Sequence, residues 1–148
     1  MKREELTAKI RAIKRVKKLT WKQIATEIST ASPILTTAAL FGQMRLSEEE
    51  ATKAADLFGL GNDERDLLTE VPYRGSLAQG PPTDPLIYRF YELVQVYGTT
   101  WKALIEEEFG DGIMSAIDFD MNIERQADPK GDRVKITMSG KFLPYKKY

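Results

Sequence analysis

Apolar positions in the first half of the chain recur at helical spacing. Leu6, Ile10, Ile13 and Val16 stand three or four apart, which predicts a first helix over roughly residues 3–17. Thr20 suits the N-cap of a second, from Trp21 to about Ile28, with Ile24, Ala25 and Ile28 facing inward. Ser32 followed by Pro33 opens a third that runs to about Phe41 and stops near Gly42. Ser47 and Glu50 form a capping-box pattern ahead of a fourth, which Gly59 ends. Asn62 is placed to cap a fifth, through about Glu70, carrying Leu67 and Leu68.

Residues 71–84 change character, with Pro72, Gly75, Gly80, Pro81 and Pro82, and read as a linker. Asp84-Pro85 is an N-cap followed by proline at the first helical position. The spacing predicts a helix over Pro85–Tyr97 that ends at Gly98, then another from Thr99 or Thr100 to Phe109, closed by Gly110. Beyond it the period changes to two. Ile117, Phe119, Met121 and Ile123 alternate with Asp118, Asp120, Asn122 and Glu124, and Val134, Ile136 and Met138 alternate in the same way. The turn-rich loop Ala127–Asp132 joins these two strands. The fold class expected is α+β. Residues 1–70 form a five-helix bundle resembling a repressor-type helix-turn-helix domain, 71–84 the linker, and 85–148 helices plus a β-hairpin.

The C-terminal part cannot bury what it carries. Between Leu86 and Tyr97 the only charged or amide residues are Arg89, Glu92 and Gln95, so the helix is apolar on nearly all sides. A lone two-stranded hairpin is marginal in water. The covering surface is therefore expected from other copies of the chain.

Composition narrows the chemistry. The chain has no histidine and no cysteine, which removes imidazole acid–base catalysis, thiolate chemistry, disulfides and His- or Cys-liganded zinc. No apolar run is long enough to span a bilayer, and the charged Met1–Lys18 segment is unlike a secretory signal, so the expected location is cytoplasmic. Formal net charge is zero, from 22 basic and 22 acidic residues, which argues against a protein that coats nucleic acid. Nine of the basic residues fall within residues 1–22, a solvated helix face or a weak attractor of anions.

Two stretches carry candidate chemistry. Arg89 and Glu92 stand three apart and share a helix face in apolar surroundings. Such a pair is either a simple helix ion pair or a receptor for a small anion, since a guanidinium in a dry pocket binds anions well. In Phe109-Gly110-Asp111-Gly112-Ile113-Met114-Ser115-Ala116-Ile117 the glycines permit tight turns. On spacing alone this is a helix C-cap and turn with Ser115 as a satisfied buried hydroxyl, and no histidine exists to make it a nucleophile.

These stretches, with Pro82-Thr83-Asp84-Pro85, Tyr88-Arg89-Phe90-Tyr91-Glu92, Gln95-Val96-Tyr97-Gly98-Thr99-Thr100 and the closing Gly140-Lys141-Phe142-Leu143-Pro144, resemble the cyanase (cyanate hydratase, cyanate lyase) family in order and without gaps. The resemblance implies bicarbonate-dependent decomposition of cyanate to carbamate and carbon dioxide, carbamate then giving ammonia and carbon dioxide. It implies Arg89, Glu92 and Ser115 as the catalytic residues, no metal or organic cofactor, and bicarbonate as co-substrate. It also implies a homodecamer, a ring of five dimers interlocked through C-terminal strands, with sites between subunits. The rival reading is a helix-turn-helix DNA-binding regulator. A helix that reads bases needs Arg, Lys, Asn or Gln, and Pro33–Phe41 has none. No nucleic-acid or membrane partner is expected.

Overall fold

The computed structural model describes residues 1–75 and 79–146, so residues 76–78 of the expected linker lie outside the described residues. The chain forms two compact units. One comprises Met1–Gly75 with Asp120–Met138, the other Ser76–Phe119 with Ser139–Tyr148.

The first unit holds five helices, α1 (Arg3–Val16), α2 (Trp21–Ile28), α3 (Pro33–Leu40), α4 (Glu48–Phe58) and α5 (Asn62–Thr69). Their starts are fixed by local hydrogen bonds. Thr20 Oγ1 accepts from the Gln23 amide at 3.1 Å while Gln23 Oε1 accepts from the Thr20 amide at 2.8 Å. Ser47 and Glu50 close the same reciprocal pair ahead of α4, at 3.2 and 2.9 Å. Gly59 ends α4 in the left-handed conformation, φ 65°. Before α5 the N-cap is Gly61 rather than Asn62. The Glu64 carboxylate reaches back to the Gly61 amide at 3.0 Å, so the cap needs no side chain from Asn62.

Leu6, Ile10, Ile24, Ile28, Leu40 and Leu68 are the largest fully buried side chains of this bundle. Arg3 ties its helices together. Its guanidinium donates to Ala39 O at 2.6 Å and Leu67 O at 3.3 Å, carbonyls in the last turns of α3 and α5, where the helix dipole favours a cation. Thr36, Ala39 and Leu40 of α3 are buried in the unit. The α3 N-cap, Ser32, donates its hydroxyl to Met121 O at 2.7 Å. This helix is occupied in packing.

In the second unit one long helix, α6 (Pro85–Phe109), replaces the two expected. Asp84 Oδ1 caps it, accepting from the Leu86 and Ile87 amides at 2.9 Å. Gly98 does not stop it. A glycine ends a helix by taking positive φ, and Gly98 is not among the positive-φ glycines whereas Gly110, the true C-cap, has φ 92°. An interior glycine costs only about 1 kcal/mol, and Tyr97 stacks on Trp101 across it with ring centroids 6.4 Å apart.

The strands are β1 (Gly112–Gln126) and β2 (Arg133–Pro144), paired as a two-stranded sheet. Both are longer than the alternation suggested, and β1 starts at Gly112 rather than Ile117. The small residues Gly112, Ser115 and Ala116 mask the period at that end. α6 has no buried residue in the single chain. Among the described residues no helix is long and apolar enough to cross a membrane.

Candidate active site

α6 carries Arg89 and Glu92 one turn apart, as their spacing requires. Arg89 Nε lies 3.2 Å from Glu92 Oε2, with the side chains 61% and 47% exposed in the single chain. The guanidinium carbon sits 5.3 Å from the centre of the Tyr88 ring. An ion pair this exposed contributes about 0–1 kcal/mol to stability. It is not explained as a source of stability.

Ser115 lies within β1, not in a turn, and is one of two buried polar residues among those described, 6% exposed. Its Oγ accepts from the Ile117 amide at 3.0 Å and the Asp118 amide at 2.9 Å. Consecutive amides of a regular strand point to opposite edges, so two aimed at one atom mark a local departure from the ladder. β1 uses 15 residues where β2 uses 12, and such surplus residues are what a bulged strand absorbs. Among the described residues the hydroxyl accepts two hydrogen bonds and donates none.

Two glycines make this pairing possible. A Cβ on Gly112 would fall 2.4 Å from Leu143 O, and one on Gly140 would fall 2.4 Å from Ser115 O. Phe109 stacks on Phe142 with ring centroids 5.2 Å apart, and the Tyr145 amide donates to Asp111 O at 3.0 Å, closing the end of the hairpin behind α6.

The structure therefore brings Arg89 and Glu92 into contact and places Ser115 on a different element of the same unit. No hydrogen bond or ion pair among the described residues joins Ser115 to either. Gly140 was not singled out as a candidate from sequence. The available signal was an isolated glycine within a strand, which marks close backbone approach. Among the described residues no cluster of three or more acidic side chains is arranged to hold a metal ion.

Known proteins resemble the chain along its length. Residues 3–72 match the family model described as cyanate hydratase, N-terminal, and residues 79–147 that described as cyanate lyase C-terminal domain. A cyanate hydratase of Dechloromonas aromatica (strain RCB) is 60% identical over 148 residues, all of both chains. One of Methylibium petroleiphilum is 58% identical over the same full length. The crystal structure of cyanase from T. urticae superposes with a TM-score of 0.81 at 38% identity, covering 94% of this chain and 96% of that one. None of these relatives is named as a DNA-binding regulator. With both family models matched in order and relatives of equal length this similar, the chain belongs to the cyanate hydratase (cyanate lyase) family of enzymes.

Proposed function

We propose that the chain catalyses the reaction of bicarbonate with cyanate to give carbon dioxide and carbamate, using Arg89, Glu92 and Ser115. The observation that carries the chemistry is the state of Ser115, a buried hydroxyl whose oxygen already accepts two amide hydrogens. With its lone pairs engaged, it has only its hydrogen left to give, and the two amides polarise the bond that gives it. This makes it a donor to an anion, not a nucleophile.

Both reactants are anions, so their encounter builds a dianion that needs fixed donors and positive charge. In this scheme a bicarbonate oxygen attacks the cyanate carbon, forming a mixed anhydride of carbamate and carbonate. The bond between the bridging oxygen and the former bicarbonate carbon then breaks and releases carbon dioxide. The nitrogen keeps the bicarbonate proton and takes one more from solvent, leaving carbamate, which decays to ammonia and carbon dioxide. Arg89 supplies the charge and a planar fork of donors. Ser115 donates to the same species. Glu92 orients the guanidinium and passes the proton to nitrogen. No step calls on a metal or an organic cofactor. Holding two anions together accounts for much of the acceleration.

The working form in this proposal is a cytoplasmic homodecamer with sites shared between subunits. Supporting it are α6, none of whose residues is fully buried in the single chain, and large apolar residues left open on the hairpin, Ile117 at 97% and Val134 at 75% exposure. Burial by partner copies would also dry the Arg89–Glu92 pair. Ammonia release from cyanate, with and without bicarbonate, is the test. Turnover that requires bicarbonate supports the proposal, and equal turnover in its absence sinks it.

A further inference from the structure

Gly140 lies within β2, where glycine is usually a weakness. Its backbone is not in the positive-φ region, so conformation does not demand it. Space does. A Cβ at Gly140 would stand 2.4 Å from Ser115 O, 2.6 Å from Met114 Cγ and 3.3 Å from Met114 Sδ. Real Cβ atoms essentially never approach closer than 3.0 Å, so Ser115 or its partner strand would have to withdraw by about 0.6 Å. The carbonyl involved is rigidly part of the peptide joining Ser115 to Ala116. Moving it turns the segment that delivers the Ile117 and Asp118 amides to Ser115 Oγ.

From this contact we infer that Gly140 is a positioning residue for the reaction, setting the place of the Ser115 hydroxyl through backbone contact. The inference rests on the reading of Ser115 as a donor to the reacting anions. A flexible side chain in the way could swing aside, but the carbonyl of a paired strand cannot. Catalytic groups work within about 0.5 Å of their productive place, so a withdrawal of this size is enough to matter. Gly112 is equally crowded, but by Leu143 O and the Phe142 ring, so a side chain there presses on β2 and not on Ser115.

The test is a double-mutant cycle on the assembled enzyme, with kcat and KM for cyanate measured for Gly140→Ala, Ser115→Ala and the pair. The expected result is a fall in kcat of about 10- to 100-fold for Gly140→Ala with KM little changed, because misplacement by a fraction of an ångström to an ångström costs catalysis on this scale. In the Ser115→Ala background the same change should alter kcat less than about threefold, since the hydroxyl it positions is gone. Equal losses in both backgrounds, or wild-type kcat for Gly140→Ala, would overturn the inference while leaving Ser115 as a donor. Wild-type turnover by Ser115→Ala alone would remove the reading of Ser115, and the inference with it. Should Gly140→Ala not assemble, Met114→Ala with Gly140→Ala, which relieves the side-chain collision, is compared with Met114→Ala. Failure of both to assemble would make the glycine a folding requirement only and overturn the positioning role.

Discussion

Replacing Ser115 by alanine removes one oxygen and disturbs two things whose sizes can be separated. The Ile117 and Asp118 amides lose their acceptor. A typical internal hydrogen bond is worth about 0.5–1.5 kcal/mol net, so the pair is worth about 1–3 kcal/mol of stability. The lower end applies, because Ile117 is 97% exposed in the chain and water reaches its amide unless a partner covers it. The catalytic loss is larger. Deleting one donor aimed at developing negative charge costs on the order of 100- to 1000-fold in kcat, about 2.7–4 kcal/mol. The variant should therefore assemble, melt somewhat lower, and release ammonia from saturating cyanate and bicarbonate at least about 100-fold more slowly. Light scattering and a melting curve check the first two, a steady-state assay the third. A well-assembled Ser115→Ala with kcat within about threefold of wild type would show that the hydroxyl only braces the strand.

Arg89→Lys should lose at least about tenfold in kcat/KM, because a point charge cannot reproduce a two-pronged donor; wild-type kinetics would remove Arg89 from the site. Light scattering of the purified protein should give about 168 kDa, ten chains of 16.8 kDa, and a stable monomer at micromolar concentration would refute the shared-site assembly. Burial pushes the Glu50 carboxyl up, but hydrogen bonds from Ser29 and Ser47 together hold it below the usual range. Its stabilisation is thus present above the unfolded carboxylate pKa and is lost as pH falls through the depressed folded value. Glu50→Gln should lower stability at neutral pH and flatten the acid limb of melting temperature against pH; an unchanged limb would mean the carboxylate contributes nothing.

The bundle was legible because its signals are local. Thr20 with Gln23, and Ser47 with Glu50, satisfy helix ends within four residues of chain, so sequence alone locates α2 and α4. The Arg89–Glu92 contact was legible for the same reason, as it follows from helical spacing. Gly98 misled because glycine's preference to end a helix is worth about 1 kcal/mol, less than an apolar helix gains from continuous backbone bonding and the Tyr97–Trp101 stack. The alternation reveals β1 only from Ile117 onward, because Gly112 and Ala116 break the period that would extend the strand to Ser115. The small size of Gly112 is explained by β2, which approaches across many intervening residues and brings Leu143 against Gly112 as it brings Gly140 against Ser115. Expected burial of α6 could not be met within one chain, since its apolar residues surround the whole helix and unit contacts leave none of them buried. The assignment of Ser115 to the site came from family resemblance, because spacing alone left it open, and the donor reading came from the two amides that its oxygen accepts.

In the proposed reaction bicarbonate is a reactant at this site and not an activator. Rapid-quench turnover with carbon-13 bicarbonate and unlabelled cyanate tests it before carbamate decays. If a bicarbonate oxygen attacks cyanate, the first carbon dioxide released carries the label and carbamate keeps the unlabelled cyanate carbon. Unlabelled carbon dioxide as the first product would mean that water hydrolyses cyanate directly, and would contradict the account.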